Sequence, residues 1–165
     1  MNLSEKYSKE EFNLYNPAYV GAILYHSIRE YQEINSEGMH CSLVYLIAPL
    51  SLSPRYSSYL PKSVSTPIAG WVSDHEGDLI GFSQSVNAYI DIVNAAIAFL
   101  LDFEAVNLSE EGRYFIVQDQ MAKSPRYINH NATFKHNYLI SGFLGRWFAY
   151  ASSIESIYAH FGVRP

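Results

Sequence analysis

The chain has few of the residues on which catalysis and cross-linking depend. Only one of its 165 residues is a cysteine, Cys41, so no disulfide can form within the chain. Cys41 precedes an apolar run and has no Lys or Arg beside it, which predicts a buried small hydrophobic residue rather than a reactive thiol. Charged residues make up 16% of the chain, below the roughly 25% that is usual in soluble domains.

Long uninterrupted hydrophobic runs are also missing. A membrane-spanning helix needs about 20 predominantly apolar residues. The run Leu43–Leu52 is too short, and the stretch Val86–Phe103 is interrupted by asparagine and aspartate. The polar start MNLSEKYSKEEF lacks the apolar segment of a secretory signal. We therefore expect a cytoplasmic protein with a flexible N-terminus over residues 1–12.

Positive charge is absent from the middle of the chain. Residues 63–112 contain eight acidic residues and no Lys or Arg, whereas residues 113–165 contain six basic and two acidic residues. The net charge of the whole chain is −5. A dedicated nucleic-acid-binding protein usually has a basic balance, so the charge argues against that class.

Signatures of catalytic, metal and nucleotide sites do not occur in the sequence. There is no Gly-x-Ser-x-Gly elbow, no phosphate-binding Gly-rich loop, and no His or Cys pair at zinc-ligand spacing. The densest ionisable group, residues 74–78 (DHEGD), lacks the alternating ligands of a calcium loop. We predict that it is an exposed acidic loop, with a patch for a basic partner or an acid/base site as alternatives. The sequence thus predicts a protein that is not an enzyme and needs no cofactor or metal.

Aromatic residues, in contrast, are abundant. The chain contains 14 Tyr and nine Phe, and 48% of its residues are hydrophobic. This composition suits a packed core, and it also suits a surface that another protein covers, because aromatic residues are enriched at interfaces.

Helical periodicity and capping residues predict a mostly helical chain. Asn16-Pro17 is a typical helix start, and apolar residues at intervals of three to four predict a helix ending near Ile34. The segment LVYLIAPLSL after Ser42 favours a short buried helix over a strand, and residues 53–65 read as an extended surface loop. Thr66-Pro67 begins a helix that ends before Gly77.

The strongest periodic signal predicts a helix from Ser83 to Phe103. The side predicted to be buried contains Val86, Tyr89, Ile90, Val93, Ile97, Leu100 and Leu101.

The last third of the chain combines a hairpin with two more helices. Residues 105–117 predict a β-hairpin with a glycine at the turn exit, and residues 118–132 look irregular. A helix is expected from Thr133 to Tyr150, followed by a short helix that Ser152 or Ser153 caps and Gly162 closes. The fold class is therefore α+β and predominantly α-helical. We expect a single domain over residues 1–165, with a helical body, a β-hairpin and a winged-helix-like arrangement as one option.

A winged helix would place the helix 83–103 in the major groove of DNA. That helix has no Lys or Arg and contains Asp91 and Asp102, which phosphates would repel. A stand-alone winged-helix DNA-binding regulator is therefore the alternative function rather than the favoured one. A weaker nucleic-acid hypothesis uses the basic stretch with Lys123, Arg126, Lys135 and Arg146, whose plainer interpretation is a solvated face with scattered cations.

The C-terminal stretch FLGRWFAYASSIESIYAHFGVRP contains the most distinctive residues of the chain. Phe143, Trp147 and Phe148 predict large buried apolar area, and Gly142 and Gly145 would permit close helix packing. Beside them, Arg146 could stack on an aromatic ring or pair with a carboxylate.

This C-terminal stretch resembles the signature of the middle component of bacterial three-component ABC-ATPase systems. In that family an LGRWF-like motif precedes a helix and a terminal GVRP, and both are present here at residues 144–148 and 162–165. Asn16-Pro17-Ala18 and the segment LVYLIAPL at residues 43–50 also resemble the family. The similarity extends over about residues 14–165 and is specific at the C-terminus.

The resemblance implies a non-catalytic adaptor subunit. Its partners would be a coiled-coil ABC ATPase of the chromosome-maintenance or repair type and an effector-like third component, in a system for defence against phages or plasmids. DNA contact would occur only within the assembled complex. The residues it suggests for structure or contact are Asn16, Arg146, Trp147, Phe148 and Arg164.

Overall fold

The computed structural model of the chain describes residues 15–164 and is predominantly helical, as the sequence predicts. The predicted flexible N-terminus over residues 1–12 lies outside the described residues. The helices are α1 Pro17–Gln32, α2 Val44–Leu52, α3 Pro54–Ser57, α4 Ile68–Asp74, α5 Phe82–Asp102, α6 Arg126–Asn129, α7 Ala132–Ala149 and α8 Ile154–Phe161. The strands are β1 Met39–His40, β2 Asn107–Leu108 and β3 Arg113–Phe115, and a 3₁₀ turn covers Cys41–Leu43.

Helix α1 is the centre of the packing. It contacts α7 along one side and α5 along another, while α2 packs against α5 and α7. Its buried residues include the charged Arg29 and the polar His26 and Ser27, so α1 is enclosed on nearly all sides. The described residues form one continuous hydrophobic core, although the single-domain assignment for residues 1–165 stays a prediction.

The predicted hairpin is confirmed, and a third strand joins it. β2 and β3 are antiparallel, Gly112 at their turn has φ +74°, and β1 pairs with the other edge of β3 to give the order β1-β3-β2. The Gln32 side chain at the end of α1 donates to the Ile116 carbonyl at 3.0 Å and accepts from its amide at 2.8 Å. This pair of hydrogen bonds attaches the hairpin to α1.

Two segments predicted as loops contain short helices. Residues 53–65 include α3, where Tyr56 is buried and donates or accepts a hydrogen bond with Ser85. Residues 118–132 include α6, where Ile128 is buried. Helix α3 begins at Pro54 and α6 follows Pro125, and proline is preset for a helix start. Composition alone did not reveal the side chains that these one-turn helices bury, Tyr56 and Ser57 in α3 and Ile128 in α6.

The buried side of α5 differs from the predicted side. Val86, Val93, Ile97 and Leu100 are buried as predicted, but Ile90 is exposed. Ile92 and Ala96 are buried in addition, because α1 and α2 pack against α5 from that side.

Two further expectations need correction. The sequence predicts no stretch that could cross a membrane. In the part of the chain described, however, α5 is one helix that is long and apolar enough to cross a bilayer by length and composition, although its apolar side packs in the core. Cys41 is half-buried rather than buried, because it lies at the rim of the sheet, where its amide donates to the Gly112 carbonyl at 2.8 Å.

Candidate functional site

Asn16 caps the start of α1. Its Oδ1 atom accepts a hydrogen bond from the Ala18 amide at 2.8 Å, and Pro17 occupies the first helical position. The cap satisfies one of the amides that a helix start leaves without a partner. Asn16 therefore fixes the beginning of the helix against which the C-terminal motif packs.

The glycines of the C-terminal motif allow α7 to lie directly against α1, as predicted. A Cβ atom built on Gly145 would lie 2.2 Å from the Ser27 carbonyl oxygen, and one built on Gly142 would lie 2.4 Å from His26 Nε2. Real atoms do not approach that closely, so these two positions require glycine for the observed packing.

Arg146 of the motif pairs with a carboxylate on α1. Its Nη1 atom donates to Glu30 Oε2, and both side chains remain partly accessible to solvent. The ion pair therefore connects α7 to α1. A partly exposed pair of this kind contributes little stability, about 1 kcal/mol or less.

Trp147 and Phe148 are buried side chains that join four parts of the chain. Trp147 is 1% exposed and donates from Nε1 to the Thr66 carbonyl at 2.7 Å. Its ring packs edge-on against the Trp71 ring of α4, with the ring centroids 5.5 Å apart. The Phe148 and Phe161 rings, on α7 and α8, have their centroids 6.1 Å apart. These contacts connect α7 to α4, to α8 and to the segment before α4.

Beside Trp147, a cleft of about 540 Å³ opens between the start of α4 and the corner that joins α7 to α8. None of the described residues that line it is a Lys, Arg, Asp or Glu. The lining residues are Val64, Ser65, Thr66, Pro67, Ile68, Ala69, Trp147, Tyr150, Ala151, Ser152, Ser156 and His160. Tyr150 is 63% exposed at the rim.

The remaining predicted residue, Arg164, is exposed after Gly162.

Arg29 is a buried charged residue at the α1–α7 contact. Arg29 is 5% exposed, and its Nη1 atom donates to Asp119 at 3.2 Å and to the Met121 carbonyl at 2.8 Å. Its Nη2 atom donates to Tyr138 Oη at 3.0 Å and lies 3.1 Å from His26 Nδ1. The Arg29 Nε atom has no hydrogen-bond partner among residues 15–164. The guanidinium thus connects α1, α7 and the segment after β3.

Asp119 is the carboxylate that balances Arg29. Burial on its own would raise the pKa of Asp119, but hydrogen bonds from Tyr25 and the Met121 amide, together with the Arg29 charge, lower that pKa below its usual range. Sequence reasoning missed this pair, because 90 residues separate Arg29 from Asp119 and neither belongs to a motif.

His26 is held neutral within the same contact. Its ring stacks on Tyr138 with the centroids 4.0 Å apart. Burial lowers the pKa of His26 to about 4, and the positive charges of Arg29 and Arg146 act in the same direction against the opposing effect of Glu30.

We expect acid to destabilise the protein through His26. The unfolded chain takes up a proton near pH 6.5 and the folded one only near pH 4, so stability is complete above pH 6.5 and falls as the pH drops towards 4. The loss attributable to His26 is about 3 kcal/mol by pH 4. Urea unfolding between pH 7 and pH 4 measures it, with His26→Gln compared against the exposed control His160→Gln. Equal pH slopes for wild type and His26→Gln would contradict this origin.

The acidic segment at residues 74–78, predicted as an exposed loop, begins at Asp74, the last residue of α4, and is half-buried at His75 and Asp78. His75 stacks on Trp71 at 4.8 Å, and its Nδ1 atom lies 2.8 Å from the Trp71 carbonyl oxygen. Over residues 15–164, no group of three or more His, Cys, Asp or Glu side chains is placed to hold a metal ion.

The C-terminal motif is therefore the point at which α1, α4, α7 and α8 meet. The model of the family described as ABC-three component (ABC-3C) system Middle Component 3 matches residues 4–165. The chain belongs to this family. The match includes the LGRWF motif and the GVRP ending, and it confirms the resemblance that these residues indicated.

Other comparisons add no closer likeness. No curated protein and no solved structure matches the chain. The winged-helix-like arrangement therefore stays a prediction, although the order of α2, α4 and α5 followed by the hairpin is the predicted one.

Proposed function

We propose that this Middle Component 3 protein is a non-catalytic cytoplasmic adaptor that bridges a coiled-coil ABC ATPase and an effector-like third component. The observation that carries the proposal is the family match over residues 4–165, since the family consists of components of a multi-part ABC system. The finer role, in defence against phages or plasmids, follows from the resemblance stated above.

Several large apolar side chains are exposed on the surface of the chain. Large apolar side chains are exposed on separate elements, among them Phe103 after α5, Val117 after β3, Tyr127 on α6 and Tyr150 after α7. Aromatic residues are enriched at protein interfaces, so the exposed Phe103, Tyr127 and Tyr150 are candidates for contact with a partner.

The C-terminal motif fits a structural role more than a direct contact. Trp147 and Phe148 are buried and Asn16 caps a helix, so we assign these three residues to folding. Arg164 is exposed and is the residue of the five that we assign to contact. Arg146 pairs with Glu30 across the α1–α7 contact and stays partly accessible to solvent.

Direct DNA reading by α5 is not part of the proposal. Asp91 and Asp102 are both exposed on that helix, where they would repel phosphates. Any DNA contact would then be made only within the assembled complex.

Co-purification tests the adaptor role. The tagged chain is expressed with the products of the genes beside its own, in the presence of ATP, and captured proteins are identified by mass spectrometry. We expect an ABC ATPase and one further protein in a fixed ratio. Recovery of nucleic acid without either protein would replace the adaptor with the alternative DNA-binding regulator.

A further inference from the structure

The stretch from residue 120 to residue 154 contains four cations and no acidic residue, in a chain whose net charge is −5. Arg146 is paired with Glu30. The other three, Lys123, Arg126 and Lys135, are exposed, and no carboxylate of residues 15–164 lies within ion-pair distance of them. Within the described residues 15–164, the charges of Lys123, Arg126 and Lys135 are thus left without a carboxylate partner.

The segment that presents these cations is firmly attached to the body of the protein. Tyr138 of α7 donates to the Lys123 carbonyl at 3.4 Å, and Arg29 donates to the Met121 carbonyl at 2.8 Å. Ile128 is buried, and α6 packs against α7. A rigid platform is a favourable binding surface, because little conformational freedom is lost when a partner binds.

Tyr127 is an exposed aromatic residue beside Arg126 in the sequence. Its side chain is 65% exposed, and its ring packs against Phe134 with the ring centroids 5.8 Å apart. The Phe134 ring packs in turn against Tyr19, with the ring centroids 4.3 Å apart. Tyrosine and arginine are among the residues that most often carry the binding energy of protein interfaces.

We propose that the basic surface formed by Lys123, Arg126, Tyr127 and Lys135 binds an acidic polypeptide segment of a partner subunit. The inference rests on the proposed adaptor function and deepens it. Charge complementarity identifies the partner's chemistry: carboxylates opposite the three cations, and an apolar or aromatic group against Tyr127.

A protein segment fits this surface better than a nucleic acid. Residues outside 120–154 carry a net charge of −9, the difference between −5 for the chain and +4 for the segment. A duplex needs many phosphate contacts and would find only three unpaired cations in this segment, whereas a short acidic segment can end within the patch. Screening beyond about 8 Å at physiological salt keeps the attraction local.

The test uses the charge-reversal variant Arg126→Glu/Lys135→Glu in the co-expression described above. We expect it to lose one of the two captured proteins by about tenfold or more and to retain the other. The control Lys62→Glu/Gln84→Glu/Asn87→Glu has the same change in net charge on exposed residues elsewhere and should capture both. Tyr127→Ala, which changes no charge, should weaken capture of the same protein. The unfolding midpoint of each variant is measured to verify that it is folded.

Each other outcome overturns the inference in an identifiable way. Capture of both proteins by the charge-reversal variant at wild-type levels would exclude the surface. Loss of affinity for a short DNA duplex without loss of either protein would assign it to nucleic acid. Self-association of the wild type that the variant abolishes, seen by sedimentation, would assign it to a second copy. Failure of the wild type to capture either protein would instead reject the adaptor function, and this inference with it.

Discussion

Gly145→Ala is expected to destabilise the protein by about 3 kcal/mol, measured by urea unfolding. The added methyl group would lie 2.2 Å from the Ser27 carbonyl oxygen and 3.0 Å from the Ser27 Cα atom, both of which belong to the α1 backbone. Backbone atoms cannot rotate away, so α7 must move off α1. The intrinsic gain of alanine over glycine in a helix, about 1 kcal/mol, is too small to offset that movement.

A second glycine provides the matched control. Gly70 also lies inside a helix, α4, and a Cβ atom there would have no neighbour within 4 Å. Gly70→Ala should therefore stabilise the protein by about 0.5–1 kcal/mol. If Gly145→Ala were as stable as wild type, the close α1–α7 contact would not exist in solution.

Trp147→Ala is expected to cost about 3–5 kcal/mol of unfolding free energy. The substitution leaves a cavity beside Trp71 and removes the hydrogen bond to the Thr66 carbonyl. Because that bond holds the segment before α4, trypsin should also cut more rapidly after the nearby, exposed Lys62. Trp147→Phe, which fills most of the space without the donor, should fall between alanine and wild type.

Tyr150, one turn further along the chain, is the control for Trp147. Its side chain is 63% exposed at the rim of the cleft, so Tyr150→Ala should change stability by less than about 0.5 kcal/mol. If Trp147→Ala kept wild-type stability and lost a partner protein, Trp147 would be a contact residue, contrary to the structural role proposed for it.

The features that could be predicted from sequence are those that neighbouring residues determine. The Asn16 cap, the Ser153 cap and the closing Gly162 each depend on atoms within four residues, and the structure contains all three. The glycines at 142 and 145 were also informative, because two small residues on one side of a helix favour close packing.

Features that depend on distant residues were not predictable. β1 is two residues long and exists because it pairs with β3, so Met39 and His40 have no periodic signal of their own. The partner of Arg146, Glu30, is 116 residues away. Ile90 was assigned to the wrong side of α5 because the positions of α1 and α2, not periodicity, determine which side is covered.

The bridging role is tested most directly by omitting this chain. The ABC ATPase is tagged and expressed with the third component, with and without the Middle Component 3 protein, and the amount of third component captured is measured. We predict that the third component is recovered with the ATPase only when this chain is present. Equal recovery without it would show that the two bind each other directly, and would contradict the adaptor account.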